Sequence, residues 1–307
     1  GFIVVQNIVG ISLASLLGLP PLTGLITGSM TLVGGHGTAA GWGQIFESDF
    51  GIQGAVVLGM ACATFGLVCG GLIGGPVARR LMKKVTIPEH AQNTTESVEV
   101  GPKIVYEQPQ QQRIITADSA VETLALFAIC LASASFLSNF MAEHFGDSNL
   151  VIPTFVWALA SGVVVRNVLT KFFKVTIFDR SVDVFGNVSL SLFLAMALLS
   201  LELWMIKDLA IPLIVILSVQ AVLLVLFAVF VVFRVMGKDY DAAVLAGGFC
   251  GFGMGATPTA VANMQAVTDR FGPSHKAFLI VPMVGAFFVD IINATVLSAI
   301  TSLPFLN

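Results

Sequence analysis

An all-α polytopic membrane protein built from inverted-topology repeats is the fold this sequence predicts, on three observations. Apolar residues supply 56% of the 307 positions and charged residues 11%, against roughly 45–50% and about 25% in soluble domains. Apolar runs of about 20 residues recur, each long enough to cross a hydrocarbon core of roughly 30 Å, and the short alternating strands of a transmembrane barrel do not occur. A glycine-rich stretch near the beginning returns, as a weak copy, late in the chain.

The chain opens on GFIVVQNIVGISLASLLGL, which predicts a span over 1–18. It starts without Met and without the basic head and cleavage site of a signal peptide, so the expectation is a sequence that begins inside a larger protein. Residues 22–46 are apolar but carry the glycines of LVGGHGTAAGW, which unwind a helix where exposed backbone is most costly. A segment that enters the membrane and returns on the same side suits them better than a straight span. The next span is expected over 54–77. Residues 78–118 are polar, with three of the chain's 12 prolines between 82 and 118, and read as a cytoplasmic linker between two halves, 1–77 and 119–307. Spans follow over 120–142, 151–170, 186–206 and 209–235, with 171–184 (KFFKVTIFDRSVDV) as an interfacial segment. A second glycine-rich stretch covers 242–268, and a last span 276–303.

Basic residues favour the cytoplasmic side and so test this layout. Arg79, Arg80, Lys83, Lys84, Lys103 and Arg113 place the linker inside, and alternation then puts EHFGDSNL (143–150), without Lys or Arg, outside. Arg166, Lys171, Lys174, Arg180, Arg234, Lys238, Arg270 and Lys276 fall inside; of the 15 basic residues only Lys207 falls outside. Treating either glycine-rich stretch as a full span breaks this pattern. Cys62, Cys69, Cys130 and Cys250 all sit in apolar segments without paired or metal-ligand spacing, so they read as small hydrophobes.

Sliding residues 34–51 forward by 221 positions places Gly34, Thr38, Ala39, Gln44, Phe50 and Gly51 on Gly255, Thr259, Ala260, Gln265, Phe271 and Gly272. Each copy lies between spans, and the charge rule gives the two opposite orientations. Inverted repeats whose broken helices meet near the midplane are the plan of many secondary transporters. Four expected spans precede the second copy after the linker and one precedes the first, so symmetry predicts about three further helices ahead of this sequence, at about 20 residues per span.

The stretches GGHGTAAGW (34–42), MACATFGLVCGGLIGGPVAR (60–79), GNVSLSLFLAMALL (186–199), GFGMGATPTAVANMQAVTDRFGPSH (251–275) and VPMVGAFFVDIINA (281–294) resemble the bacterial sodium/glutamate symporters over nearly the whole chain outside the linker. The resemblance implies an inner-membrane protein with two inverted five-helix repeats, each carrying a re-entrant loop, and a periplasmic C-terminus. It also implies sodium-coupled uptake of L-glutamate by a homodimer through an elevator-type movement. Sodium is then the coupling ion, no cofactor is expected, and no nucleic acid is a partner. One departure is visible: Phe249 stands in GGFCGFGMG where the resemblance suggests a polar residue such as His.

Glutamate offers carboxylates and an ammonium, and sodium needs hard oxygen ligands. Helix N-termini present free N–H groups and a positive dipole end to anions, while unwound carbonyls and Ser/Thr hydroxyls suit a cation. The first tip, Gly34, Gly35, His36, Gly37 and Thr38, is a candidate for substrate binding, His36 either touching substrate or bracing the turn. The second tip holds Gly253, Gly255, Ala256, Thr257, Pro258 and Thr259; Pro258 disfavours helix at Thr257, and Thr257 is also a candidate sodium ligand. Asn263, one turn after Thr259, points either to the substrate ammonium or to a neighbouring helix. Asp290, in the middle of the last span, is expected to hold sodium or the ammonium, because a membrane-buried carboxylate requires compensation. Asn293 shares its face. Arg270 either pairs with a substrate carboxylate or is a cytoplasmic surface charge. Asn187, Ser189 and Ser191 either complete a sodium site or bond within their own helix. Glu122 is read as interfacial, and Gln220 and Asn167 as interhelical glue.

Other classes fare worse. A Ser29–His36 hydrolase pair would need a regular helix across the intervening glycines and has no third group to orient it. Neither glycine-rich tip carries the Lys-Ser/Thr of a phosphate-binding loop. A channel filter would need repeated carbonyl rings. A carrier for another small carboxylate, such as a hydroxy acid, is the runner-up, since no arginine lies deep in the membrane.

Overall fold

A computed structural model describes residues 1–85, 115–145, 153–199, 207 and 209–303. The core of the expected linker (86–114, with Lys103 and Arg113), most of the 143–150 connection and the end of the 186–206 span lie outside the described residues. All regular structure among the described residues is helical. Three stretches, Ala55–Met82, Ala117–Met141 and Ala210–Val235, are long and apolar enough to cross a membrane, and Phe2–Leu16 and Val289–Thr301 are shorter apolar helices.

In chain order the elements are α1 (Phe2–Leu16), α2 (the turn Thr23–Leu25 with the π-helical turn Ile26–Met30), α3 (Gly35–Ser48) and α4 (Ala55–Met82). Next among the described residues come α5 (Ala117–Phe145), α6 (Thr154–Lys171) and α7 (Asp179–Leu199). Next are α8 (Ala210–Phe227, extended by a π-turn Ala228–Val232 and Phe233–Val235), α9 (Tyr240–Gly253) and α10 (Thr257–Phe271). The chain closes with α11 (His275–Met283), which runs through a π-turn Val284–Phe288 into α12 (Val289–Thr301).

Two boundaries differ from expectation. α4 continues to Met82 and carries Arg79 and Arg80 in its last turn, where cations suit the negative end of the helix. α7 begins at Asp179, inside the segment read as interfacial, with an acidic residue in its first turn, where the dipole has the opposite sign. Apolar run length alone places neither end, because charged residues are tolerated in a terminal turn. The last span is a helix interrupted by a π-turn, for which a 3.6-residue pattern has no signature.

The chain divides into two compact units, Gly1–Glu96 with Leu201–Asn307, and Ser97–Ser200. In the second unit α5 packs on α6 and α7, and the Thr123 hydroxyl donates to Ser181 Oγ at 2.8 Å while Ser181 donates to the Ser119 carbonyl at 3.2 Å. An Arg166–Asp179 ion pair of 3.0 Å lies on its exposed surface, and Asn167 donates to Val163 O of its own helix rather than to a neighbour.

The first unit is organised around α4, whose Gly66, Gly70 and Gly74 face α9 and α10. A methyl on Gly66 would lie 2.5 Å from Met254 O, and one on Gly74 would lie 2.2 Å from Asn263 Nδ2 and 2.8 Å from Gly247 O. Small residues spaced by four let helix backbones touch, which is how apolar helices gain packing energy without a solvent to escape. Asn263 Nδ2 fills the groove so made, donating to Gly70 O at 2.9 Å and Gly247 O at 3.4 Å. Gly74→Leu should therefore separate α4 from the α9–α10 pair and orphan Asn263. Overpacking of this kind costs about 1–3 kcal/mol or more, and the expected result is a clear drop in melting temperature of the purified protein in detergent.

Candidate functional site

Both glycine-rich stretches are helix pairs joined at a break, and the breaks meet. In the first, Gly28 leaves the helical region (φ −105°, ψ −138°), and α3 starts afresh after Gly34. Gly35 has φ +65°, a conformation L side chains rarely adopt. In the second, α9 ends at Gly253 and α10 begins after the extended Ala256, with Pro258 in its first turn, where its missing N–H costs no hydrogen bond. A methyl on Gly35 would sit 3.6 Å from the Gly255 carbonyl oxygen, so the two backbones nearly touch.

Where they meet is a cavity of about 210 Å³, lined by Val33, Gly34, Phe252, Gly255, Ala256, Thr257, Pro258, Gly285, Val289 and Asp290. The N-terminal ends of α3 and α10 both open toward it. The first amides of a helix have no intrahelical acceptor and carry the positive end of the dipole, so two such ends make a surface for carboxylates. Asp290, half-buried and with no hydrogen bond or ion pair among the described residues, lines the same cavity. The cavity therefore offers backbone donors to an anion and one carboxylate to a cation.

The remaining candidates lie elsewhere. His36 Nε2 is 3.0 Å from Thr64 Oγ1, whose own proton goes to Met60 O at 2.9 Å; the hydroxyl must then accept from His36, and the ring ties α3 to α4. Thr64→Val should remove that acceptor and lower stability by about 1–3 kcal/mol, read as a lower melting temperature, with glutamate affinity little changed. Thr38 is buried against Gly34, whose Cβ position lies 2.6 Å from Thr38 Oγ1, and Thr259 Cγ2 packs over Gly71. Gly37 is exposed. Asn263 is taken up by the α4–α9 groove. Arg270 is exposed in the last turn of α10 with its guanidinium 5.6 Å from the Phe271 ring centroid, about 20 Å along the helix from the tip at 1.5 Å per residue. Asn187, Ser189 and Ser191 are exposed on α7 in the second unit, the Ser191 hydroxyl donating to Asn187 O at 2.8 Å. The Ser29–His36 hydrolase pair does not form, because the imidazole is engaged by Thr64.

Polar residues of α1 that the sequence reading passed over turn out to hold both breaks. Gln6 Nε2 donates to Gly253 O at 3.4 Å, at the end of α9, while its neighbour Asn7 accepts the Ser29 N–H at 2.9 Å, beside the kink at Gly28. Gln220 of α8, read as glue, donates to Gln6 O at 2.9 Å. Asn293 of α12 donates to Ser29 O at 3.1 Å, joining the helix of Asp290 to the first break. An amide side chain inside an apolar run was the available signal. Gly285, in the π-turn, gives Thr257 its room: a methyl there would lie 2.6 Å from Thr257 Oγ1. Phe249 packs with Phe2, Phe227 and Phe252 at centroid distances of 5.1, 5.7 and 5.4 Å, in an aromatic cluster.

Residues 1–273 match the sodium/glutamate symporter family. The chain is 53% identical over 304 residues to proteins named sodium/glutamate symporter from Escherichia coli (strain K12) and Shigella flexneri, covering 99% of this chain and 74% of each relative. It is 50% identical over 293 residues to the protein of the same name from Haemophilus influenzae, covering 95% of this chain and 70% of that one. No solved structure matches.

Proposed function

Since this chain belongs to the sodium/glutamate symporter family, we propose that it takes up L-glutamate across the bacterial membrane with sodium as coupling ion, and that the cavity between the two breaks is where glutamate binds. The protein is a transporter and not an enzyme, and sodium is cargo that drives transport, not a resident cofactor. The observation that carries the site is the convergence of two helix N-termini and one unpaired carboxylate on a single cavity. At about 210 Å³ it is below the roughly 300–1,000 Å³ of pockets that take drug-sized ligands, which suits a small amino acid.

The amides at Gly35 and Thr257 would take the carboxylates, and the Asp290 carboxylate would face the ammonium or a sodium ion shared with the Thr257 hydroxyl; the Gly34 N–H is already given to Ser29 O at 3.1 Å. In this reading the two broken stretches are re-entrant hairpins of inverted repeats, entered from opposite sides, with residues 78–118 cytoplasmic and the C-terminus periplasmic. A homodimer in the inner membrane, moving the cavity past a fixed scaffold, fits the same plan. His36 braces the first tip, and Arg270 serves as a surface charge at the cytoplasmic end of α10.

The test is uptake of labelled glutamate into proteoliposomes holding the complete protein, driven by an inward sodium gradient. Uptake that persists when potassium replaces sodium counts against coupling. The hydroxy-acid reading keeps one supporting observation, that no basic side chain among the described residues lines the cavity. Titration calorimetry in sodium separates the two: heat with lactate or malate and none with glutamate would transfer the site to that class. Saturable counterflow excludes a channel.

A further inference from the structure

We propose that Ser29 Oγ and Asn293 Oδ1 ligate a monovalent cation at the kink of the first break, a site distinct from the glutamate cavity. It rests on the sodium-coupled reading above, and it adds an ion position that none of the cavity-lining residues forms.

The backbone hydrogen bonds at this kink are already satisfied. The Ser29 carbonyl accepts from Val33 N at 3.2 Å, Gly34 N at 3.1 Å and Asn293 Nδ2 at 3.1 Å, and the Ser29 N–H is given to Asn7 Oδ1 at 2.9 Å. These bonds fix the orientation of both amides. Asn293 must turn its nitrogen to the carbonyl, which leaves Oδ1 as an acceptor. Asn7 must turn its oxygen to the N–H, which leaves Nδ2 as a donor. Ser29 Oγ, Asn293 Oδ1 and Asn7 Nδ2 are all buried and have no hydrogen-bond partner among the described residues. Relative exposure is 0% for Ser29 and Asn7 and 1% for Asn293. A buried polar atom left unpaired is costly, and such atoms ordinarily mark a bound water or ion.

Three features favour an ion over water alone. Two of the three orphans are hard oxygens, which suit a small hard cation. Because Asn293 bonds the carbonyl of Ser29, these oxygens belong to residues already in contact. Asp290 lies one turn before Asn293 on the same face of α12, bringing negative charge that two neutral ligands lack. The kink itself is held open by Asn7, for which Gly28 makes room: a methyl on Gly28 would be 2.7 Å from Asn7 Oδ1. Asn7 Nδ2 needs an acceptor that a bare ion does not offer, and a water in the ion's shell supplies it. A cation there would bind Asn293 to the first break and so tie the helix of Asp290 to the Gly35 amide proposed for glutamate, which links ion binding to substrate binding.

The test uses the complete protein in proteoliposomes, with Ser29→Ala and the shape-preserving Ser29→Cys, whose soft sulfur is a poor sodium ligand. The sodium concentration for half-maximal glutamate uptake should rise about tenfold or more, as loss of one ligand from a small oxygen set implies, and the Hill slope for sodium should fall. The glutamate KM at saturating sodium should stay close to wild type. A structural role alone would lower stability without moving sodium dependence. Unchanged sodium dependence in both variants overturns the proposal and leaves a water at the kink. Wild-type uptake that ignores sodium would instead overturn the transport reading itself. If neither variant folds, the wild-type protein soaked in thallium(I) decides: an anomalous peak between Ser29 and Asn293 supports the site, and its absence at occupancy of other thallium sites sinks it.

Discussion

Asp290→Asn is expected to abolish sodium-driven glutamate uptake while leaving a folded, membrane-inserted protein. The side chain has the same shape and Asp290 makes no hydrogen bond or ion pair among the described residues, so little packing is lost. What disappears is the one charge among the described residues that line the cavity. Removing one member of a desolvated charge pair costs about 3–5 kcal/mol, which converts to a loss of affinity of roughly 150- to 4,000-fold. Calorimetry with glutamate in sodium should show it directly. Wild-type affinity in the variant would remove Asp290 from both the ammonium and the sodium roles.

Gly285→Val should block the cavity from the opposite wall. Its β-carbon would start 2.6 Å from Thr257 Oγ1 and 3.1 Å from Thr257 Cγ2, so Thr257 must swing into the space where substrate is proposed to lie. Strain of about 1–3 kcal/mol corresponds to a roughly 5- to 150-fold rise in glutamate KM. The sodium dependence of what transport survives should weaken if the displaced Thr257 hydroxyl shares the ion with Asp290, and stay near wild type if Asp290 holds the ammonium alone. The π-turn explains why this glycine and Asp290 share a wall at all. In an unbroken α-helix, residues five apart point about 140° away from each other, and the wider turn of Val284–Phe288 brings both to the cavity. Deleting one residue from that turn should restore the α-helical register and lose binding even with Asp290 present.

Much of this architecture was legible in the residues. The stretches 22–46 and 242–268 appear as the broken pairs Thr23–Ser48 and Tyr240–Phe271, because glycine and proline act locally, on the backbone that carries them. Gly34, Gly255, Thr257, Pro258 and Asp290, chosen for backbone freedom or for an expensive buried charge, do line one cavity. Elsewhere the sequence leaves two roles open for a residue, or gives it none. Asn263 was a candidate by helix spacing, yet its partners are carbonyls of Gly70 and Gly247, and spacing says nothing about what lies opposite a face. Arg270 was a candidate by residue type, and the length of α10 carries it to the far end. Gln6 and Asn7 were overlooked because their partners, Gly253 and Ser29, are 247 and 22 positions away, and only the folded chain brings them together. The π-turn changes register without changing composition, so it leaves no mark in an apolar pattern.

The adjacency of Gln6 and Asn7 has a mechanical consequence. Two neighbouring side chains on one helix grip the two breaks separately, so the tips cannot drift apart without straining α1 at a single point. The cavity therefore behaves as the jaws of a fixed clamp and not as a pair of independent gates. Under the transport reading proposed above, exposing it to the other side of the membrane would carry α1, both tips and their contents together.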